Sequence, residues 1–180
     1  MKAVVILSKN FFPQHPKKGE ETNFKELVKS GKKKHTCRSN YEYWKTKIVR
    51  LQTVGGALSL RQWSASPYRS PQEVIEDIPA ELVGVQKLEL RRTKVFNQHF
   101  EIGNKRPIAE TVIYEWAAEV DGCNIPLPLL AENDGLSTED YKAWFSPVFD
   151  KAEKKYPELA AMTASVTIDF SVIHFTKERY

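Results

Sequence analysis

The stretch "SGKKKHTCRSN", residues 30–40, sets Lys32, Lys33, Lys34 and Arg38 around His35, Thr36 and Cys37. A lysine among like charges has its ammonium disfavoured, so its pKa falls. A lysine poised in this way can accept a proton as a general base. Thr36, three residues after Lys33, carries a hydroxyl that such a base could activate as a nucleophile. The plainer reading is a cluster that binds phosphate or water, with Thr36 filling a strand face, because charge clusters commonly serve no chemistry. Cys37, two residues from His35, could be a nucleophile, but a small buried side chain is its simpler role.

A second cluster is "AENDGLS", residues 131–137. Asn-Asp-Gly commonly makes a tight turn before a helix N-cap. The functional reading places Asp134 beside the lysine loop, orienting Lys33 or a moving proton. Aromatic residues interleaved with arginines form a third set: Tyr41, Trp44, Trp63 and Tyr68 with Arg38, Arg61 and Arg69. Such a mixture can stack bases and pair phosphates. Arg61 and Trp63 are the favoured pair, because they share a strand whose other face is apolar. Dinucleotide, P-loop, zincin and serine-hydrolase signatures are all missing. His15, His35, His99 and His174 share no ligand spacing, so neither a structural metal nor a cofactor is expected.

Several elements must position these groups. "AVVIL" reads as a buried strand and "ETNFKELVKSG" as a helix ending at Gly31. "YEYWKTKIVRLQTV" reads as a second helix stopped by Gly55 and Gly56. "ALSLRQWS" alternates as a strand, "SPYRSPQEVIEDIP" reads as irregular, and "ELVGVQKLELRRTKVF" is the longest strand candidate. "NQHFEIGNKRP" reads as a turn and "TVIYEW" as a strand. "DGCNIPLPLLAEND" reads as a connection with a short strand. "STEDYKAWFSPVFDKAEKKY" is a helix with Ser137 as N-cap and Asp140 in its first turn, and Pro147 should kink or split it. "SVTIDFSVIHFT" closes the chain as a strand. Five to seven strands with three helices, not alternating, argue against a doubly wound sheet. The expected fold class is α+β: a small mixed or antiparallel β-barrel with helices on its rim, in one domain over residues 1–180.

Residues 17–50 hold eleven lysines and arginines against four glutamates, a local balance of +7 in a chain of net charge +4. A basic patch on a near-neutral body suggests an anionic partner, with nucleic acid first. No apolar run is long enough for a transmembrane helix, so no membrane partner is expected. Two separated cysteines and the absence of a leader-like cleavage site suggest a cytoplasmic protein.

"FKELVKSGKKKHTCR" resembles the signature that opens ASCH domains, and "LAENDGLSTEDYKAWF" resembles their second signature late in the domain. The resemblance covers the start and the final third of the chain, while residues 64–125 are longer than in a compact ASCH domain. It implies a PUA-like fold and binding of RNA or a nucleotide in a cleft lined by the first motif. Lys32 and Lys34 would sit at the solvated edge, with Lys33, Thr36 and Arg38 facing the ligand. One bacterial relative is an amidohydrolase acting on N4-acetylcytidine with a lysine, a threonine three residues later, and a late glutamate. By that resemblance Lys33, Thr36 and Asp134 take the catalytic positions, with aspartate one methylene shorter than the family's glutamate. The expectation is therefore an RNA- or nucleotide-binding module, with hydrolysis of an acylated nucleoside as the alternative.

Overall fold

In a computed structural model the protein is described over residues 1–99, 109–155 and 164–180. Twelve elements follow in order: β1 (Lys2–Ile6), α1 (Phe24–Lys29), β2 (His35–Arg38), α2 (Tyr41–Thr53), β3 (Ala57–Trp63), β4 (Gln72–Pro79), β5 (Gly84–His99), β6 (Ala109–Val120), β7 (Cys123–Ile125), α3 (Leu127–Asn133), α4 (Thr138–Lys154) and β8 (Ala164–His174). The class is mixed α+β. The strands form a three-stranded sheet, β1-β3-β4, and a five-stranded sheet, β2-β8-β5-β6-β7. β1 runs parallel to β3, and the other pairings are antiparallel. No pairing among the described residues joins the two sheets into a closed barrel.

Three expectations are corrected by turn and strand chemistry. "SPQEVIEDIP" is not irregular: it forms β4, paired to β3. The pairing shifts at Leu60/Arg61, where Leu60 faces Glu76 but Arg61 faces Val74, so Ile75 is an extra residue in the ladder. That bulge places the buried Ile75 and Ile78 three apart and breaks the period of two by which a strand is read. The connection before Asp134 contains a helix, α3, despite its prolines. Pro126 is its N-cap and Pro128 lies in its first turn, where a missing N–H costs nothing. The described residues thus hold four helices where three were expected. Residues Asn97–His99, read as a turn, extend β5, and the rest of that expected turn, to Pro107, lies outside the described residues.

Pro147 does not split α4, which runs unbroken from Thr138 to Lys154. Ala143, whose carbonyl loses its helical donor at Pro147, borders an open groove of about 550 Å³. Ser137 caps this helix by accepting from the Asp140 N–H at 3.0 Å.

One buried apolar cluster draws on both sheets and the helices. It includes Val5 of β1, Leu58 and Leu60 of β3, Leu88 and Leu90 of β5, Val172 of β8, Leu51 of α2 and Phe149 of α4. Fully burying side chains of this size stabilises by about 1.5–3 kcal/mol each. Arg92 pins α4 onto β5: its buried guanidinium pairs with Asp150 at 2.8 Å and Glu153 at 2.7 Å, against the rings of Tyr114 and Phe149. The short β2 lies at the edge of the five-stranded sheet with β8 as its only strand partner there. This edge is where the residues of the lysine loop gather. No helix among the described residues is long and apolar enough to cross a membrane.

Candidate functional site

Three consecutive lysines have three different environments. Lys32 is exposed, Lys34 is half-buried, and Lys33 is 2% exposed. The cause is local backbone geometry. α1 places Phe24 and Val28 on its buried face and ends at Gly31, whose φ of +72° reverses the chain at little cost to glycine. The Lys33 N–H then donates to the Leu27 carbonyl at 2.9 Å, which turns the side chain inward before β2 begins.

From the other side of the sequence, the turn after α3 meets this loop. The Lys34 N–H donates to the Asn133 carbonyl at 2.7 Å. Gly135 has φ +75°, and a Cβ there would stand 3.1 Å from Leu27 and 3.3 Å from the Lys33 Cβ. Glycine is required at this position both by conformation and by the close approach.

The Lys33 ammonium donates to the Asp134 carboxylate and to the Asp134 carbonyl, residues 101 positions apart in sequence. The Phe24 ring centroid lies 4.0 Å from Nζ, so the ring face takes the remaining side of the cation. Burial pushes the lysine pKa below its usual range, and Asp134 opposes that shift. A charge this deep is retained only because its partners are supplied by the fold.

β2 carries alternating roles. His35 and Cys37 share one face, and Thr36 takes the other. On the first face, ligand-type atoms of His35, Cys37 and Asp134 lie within 4.8 Å of one another, all buried. Histidine, thiolate and carboxylate are a zinc donor set. Here the cation on the carboxylate is the Lys33 ammonium, and burial pushes the Cys37 thiol well above its usual pKa, with the Asp134 charge acting in the same direction. The Cys37 sulfur lies 3.4 Å from the Tyr141 hydroxyl. His35 is held well below the usual histidine range by burial and then by the Lys33 charge.

On the other face the Thr36 hydroxyl accepts from Arg38 Nη1 at 2.9 Å. Arg38 also donates to the Cys37 carbonyl at 2.8 Å and to the Ile6 carbonyl at 2.7 Å. That last bond ties the edge of the five-stranded sheet to β1 of the three-stranded one. The structure thus brings together Lys33 with Asp134, and Thr36 with Arg38. No hydrogen bond joins Lys33 to Thr36 among those of the described residues.

Lys32 and Lys34 border an open groove of about 540 Å³ between the lysine loop and α3. Arg61 and Trp63 lie apart from it. Arg61 donates to the Ser59 hydroxyl at 3.0 Å, and Trp63 packs on Tyr68 with centroids 5.3 Å apart, both within the three-stranded sheet and the loop that follows β3. The +7 segment is also less bare than its sequence implies. Lys17 pairs with Asp140, Lys25 with Glu73, Lys33 with Asp134 and Lys34 with Glu178, all acids from outside residues 17–50.

Sequence reasoning missed four participants. Phe24 reads only as a core position, yet its ring seats the Lys33 cation. Tyr180 and Asn133 close the edge of β2: Asn133 Nδ2 donates to the Tyr180 hydroxyl at 3.0 Å, which lies 2.7 Å from His35 Nε2. His174 faces His35 across the β2–β8 ladder, ring centroids 5.7 Å apart. His35 Nδ1 and His174 Nε2 are buried without a hydrogen-bond partner, a condition that costs about 1–3 kcal/mol for each such group. Asn133 alone had a signal, its place beside Asp134 in the turn. No family model matches the chain, and neither the curated proteins nor the solved structures give a match.

Proposed function

We propose that this chain is an RNA- or nucleotide-binding module of the ASCH type, with its two sheets disposed as a PUA-like barrel, and that it acts in the cytoplasm. One observation carries the reading: the Lys33–Asp134 contact ties together the two segments marked by the resemblance, and the loop so fixed presents Lys32 and Lys34 along an open groove. Cations in a groove release condensed counterions when phosphates arrive, so affinity falls as salt rises. The test is titration of single-stranded RNA, duplex RNA and free nucleotides at low salt. Binding is expected, with Lys32→Glu/Lys34→Glu weakening it for all sequences and reducing the salt slope by about 2. Absence of binding to every probe at low salt overturns the reading.

Amide hydrolysis is the second reading, favoured by the burial that lowers the Lys33 pKa. It requires a neutral Lys33 amine to take the Thr36 proton as the hydroxyl oxygen attacks the amide carbonyl. In the present arrangement Lys33 donates to the Asp134 carboxylate and to the Asp134 backbone carbonyl, and Arg38 holds the Thr36 hydroxyl. Incubation with N4-acetylcytidine decides the matter. Release of acetate that Lys33→Ala and Thr36→Ala both abolish supports hydrolysis, and an unchanged substrate removes it.

A further inference from the structure

The groove beside Lys32 and Lys34 adjoins a smaller pocket of about 270 Å³, and the two share Lys34, Leu129 and Asn133 as walls. The smaller pocket adds His35, His174, Tyr180 and Arg179. We propose that it receives one unstacked base of a single-stranded RNA whose backbone lies along the groove on Lys32 and Lys34. This rests on the binding reading above and assigns the base contact within it.

Three rings make the wall. His35, His174 and Tyr180 are mutually packed, with centroids 5.6–5.7 Å apart. Aromatic walls beside a cationic track are how proteins hold splayed bases. The hydrogen bonds fix what the wall offers. Asn133 donates to the Tyr180 oxygen, and the Tyr180 hydroxyl and His35 Nε2 share a hydrogen bond of 2.7 Å. His35 Nδ1 is then left buried with no partner. His174, whose pKa burial lowers to about 3, is neutral at pH 7 and keeps an unpartnered Nε2. Both nitrogens lie beneath the pocket wall, so a base would pack on the wall at Tyr180 and meet the polar edge that Asn133 and the Tyr180 hydroxyl form, with the two histidine rings directly behind it.

The phosphate side is equally available. Lys34 is held by Glu178 at 2.8 Å, an acid whose side chain is 68% exposed and readily displaced. Arg179 donates to the carbonyls of Thr176, Glu178 and Leu82, and no carboxylate among the described residues forms a salt bridge with it.

The experiment uses the full chain with a uridine decamer and, as a second arm, a ten-residue abasic ribose-phosphate strand. Ring-nitrogen NMR signals of the histidines report the pocket, and fluorescence anisotropy reports affinity. The decamer is expected to shift the His35 and His174 signals. The abasic strand is expected to bind with the same salt slope and leave those signals in place. His174→Phe should weaken decamer binding about 10-fold without changing the salt slope. Tyr180→Phe removes the hydroxyl bonded to His35 and Asn133 while keeping the ring, and its weaker decamer binding is the readout if His174→Phe fails to fold. If the decamer binds with both histidine signals unmoved, or these variants bind it as tightly as the parent, the pocket is wrong and the binding reading stands. If neither strand binds at low salt, the binding reading fails and the pocket with it.

Discussion

Lys33 and Lys34 are adjacent in sequence, and each forms an ion pair with an acid more than 100 residues away. The Lys33 side chain has no solvent exposure and its Asp134 partner 7%, whereas Lys34 and Glu178 are 36% and 68% exposed. The two contacts look alike as bonds and differ in what surrounds them. A buried cation that loses its carboxylate cannot recover its lost hydration, while an exposed one finds water at once. Burial, rather than pairing, therefore decides that Lys33 belongs to the fold and Lys34 to the surface.

The largest expected effect breaks the buried pair. Asp134→Ala leaves the Lys33 ammonium without its carboxylate, and unfolding free energy should fall by about 3–5 kcal/mol, read from denaturant midpoints. Replacing both groups, Lys33→Met with Asp134→Leu, should cost less than Asp134→Ala alone, because no unpaired charge remains. A double variant as unstable as the single one would show that packing, not charge, sets the effect. Asp134→Glu does not restore any missing reach, since Asp134 already contacts Nζ. The added methylene crowds a filled site.

The next effect depends on pH. His174 titrates at about 3 when folded, against an ordinary value of 6.5, because of burial first and then repulsion from His35 and Arg179. Between those values the unfolded chain takes up a proton that the folded chain does not. Stability is therefore complete above pH 6.5 and falls as pH drops towards 3, by on the order of 4–5 kcal/mol. His35 shifts in the same direction. The Glu73 and Asp77 carboxylates, held below the ordinary carboxylate range by Gln62 with Lys25 and by Lys2, keep their stabilising contribution down to pH 4.5 and lose it only at lower pH. Thermal melts from pH 7 to 4.5 should slope downward in the parent and less steeply in His174→Phe. Equal slopes would place the titration elsewhere.

Gly135→Ala tests how the two segments approach. Alanine must adopt φ +75° and fit its Cβ between Leu27 and Lys33, a loss of about 1–2 kcal/mol. The same change at Gly31, also left-handed but with open space around it, lacks the packing part of that penalty. Equal losses at both positions would show that backbone conformation alone is responsible.

The physical reasons for what the sequence revealed are local. The glycine stop after α1 and the Ser137 cap are signals within a few residues, and Asp134 was read as lying beside the lysine loop, whereas the lysine-threonine spacing does not bring Lys33 into a hydrogen bond with Thr36. The resemblance set Lys33 apart from Lys32 and Lys34 but as a ligand-facing group, and its full burial was not legible, because it follows from the Lys33–Leu27 backbone bond and from the arrival of Gly135. β4 was hidden by a bulge whose cause lies in its register on β3. His174 and Tyr180 join the site through strand pairing and a side-chain bond across 145 residues, and neither leaves a local pattern. The functional side of the comparison shows the same limit: local charge counting overstated the basic patch, because four of its lysines meet acids from distant segments.

The smallest effect on stability belongs to the exposed pair. Glu178→Ala removes an acceptor from a lysine that keeps contact with water, and exposed pairs are worth about 0–1 kcal/mol. The unfolding midpoint should hardly move, in contrast to Asp134→Ala. The functional consequence runs the other way. With Glu178 gone, Lys34 no longer has to exchange a carboxylate for a phosphate, and one negative charge leaves the wall of the smaller pocket. RNA should therefore bind more tightly at low salt, and the gain should shrink as salt screens the charge. Measuring stability and RNA affinity on the same variant separates the two roles. A marked loss of stability would make Lys34–Glu178 a fold contact like Lys33–Asp134 and erase the contrast between the neighbours. A weaker affinity would mean that Glu178 orients Lys34 towards the groove instead of competing for it.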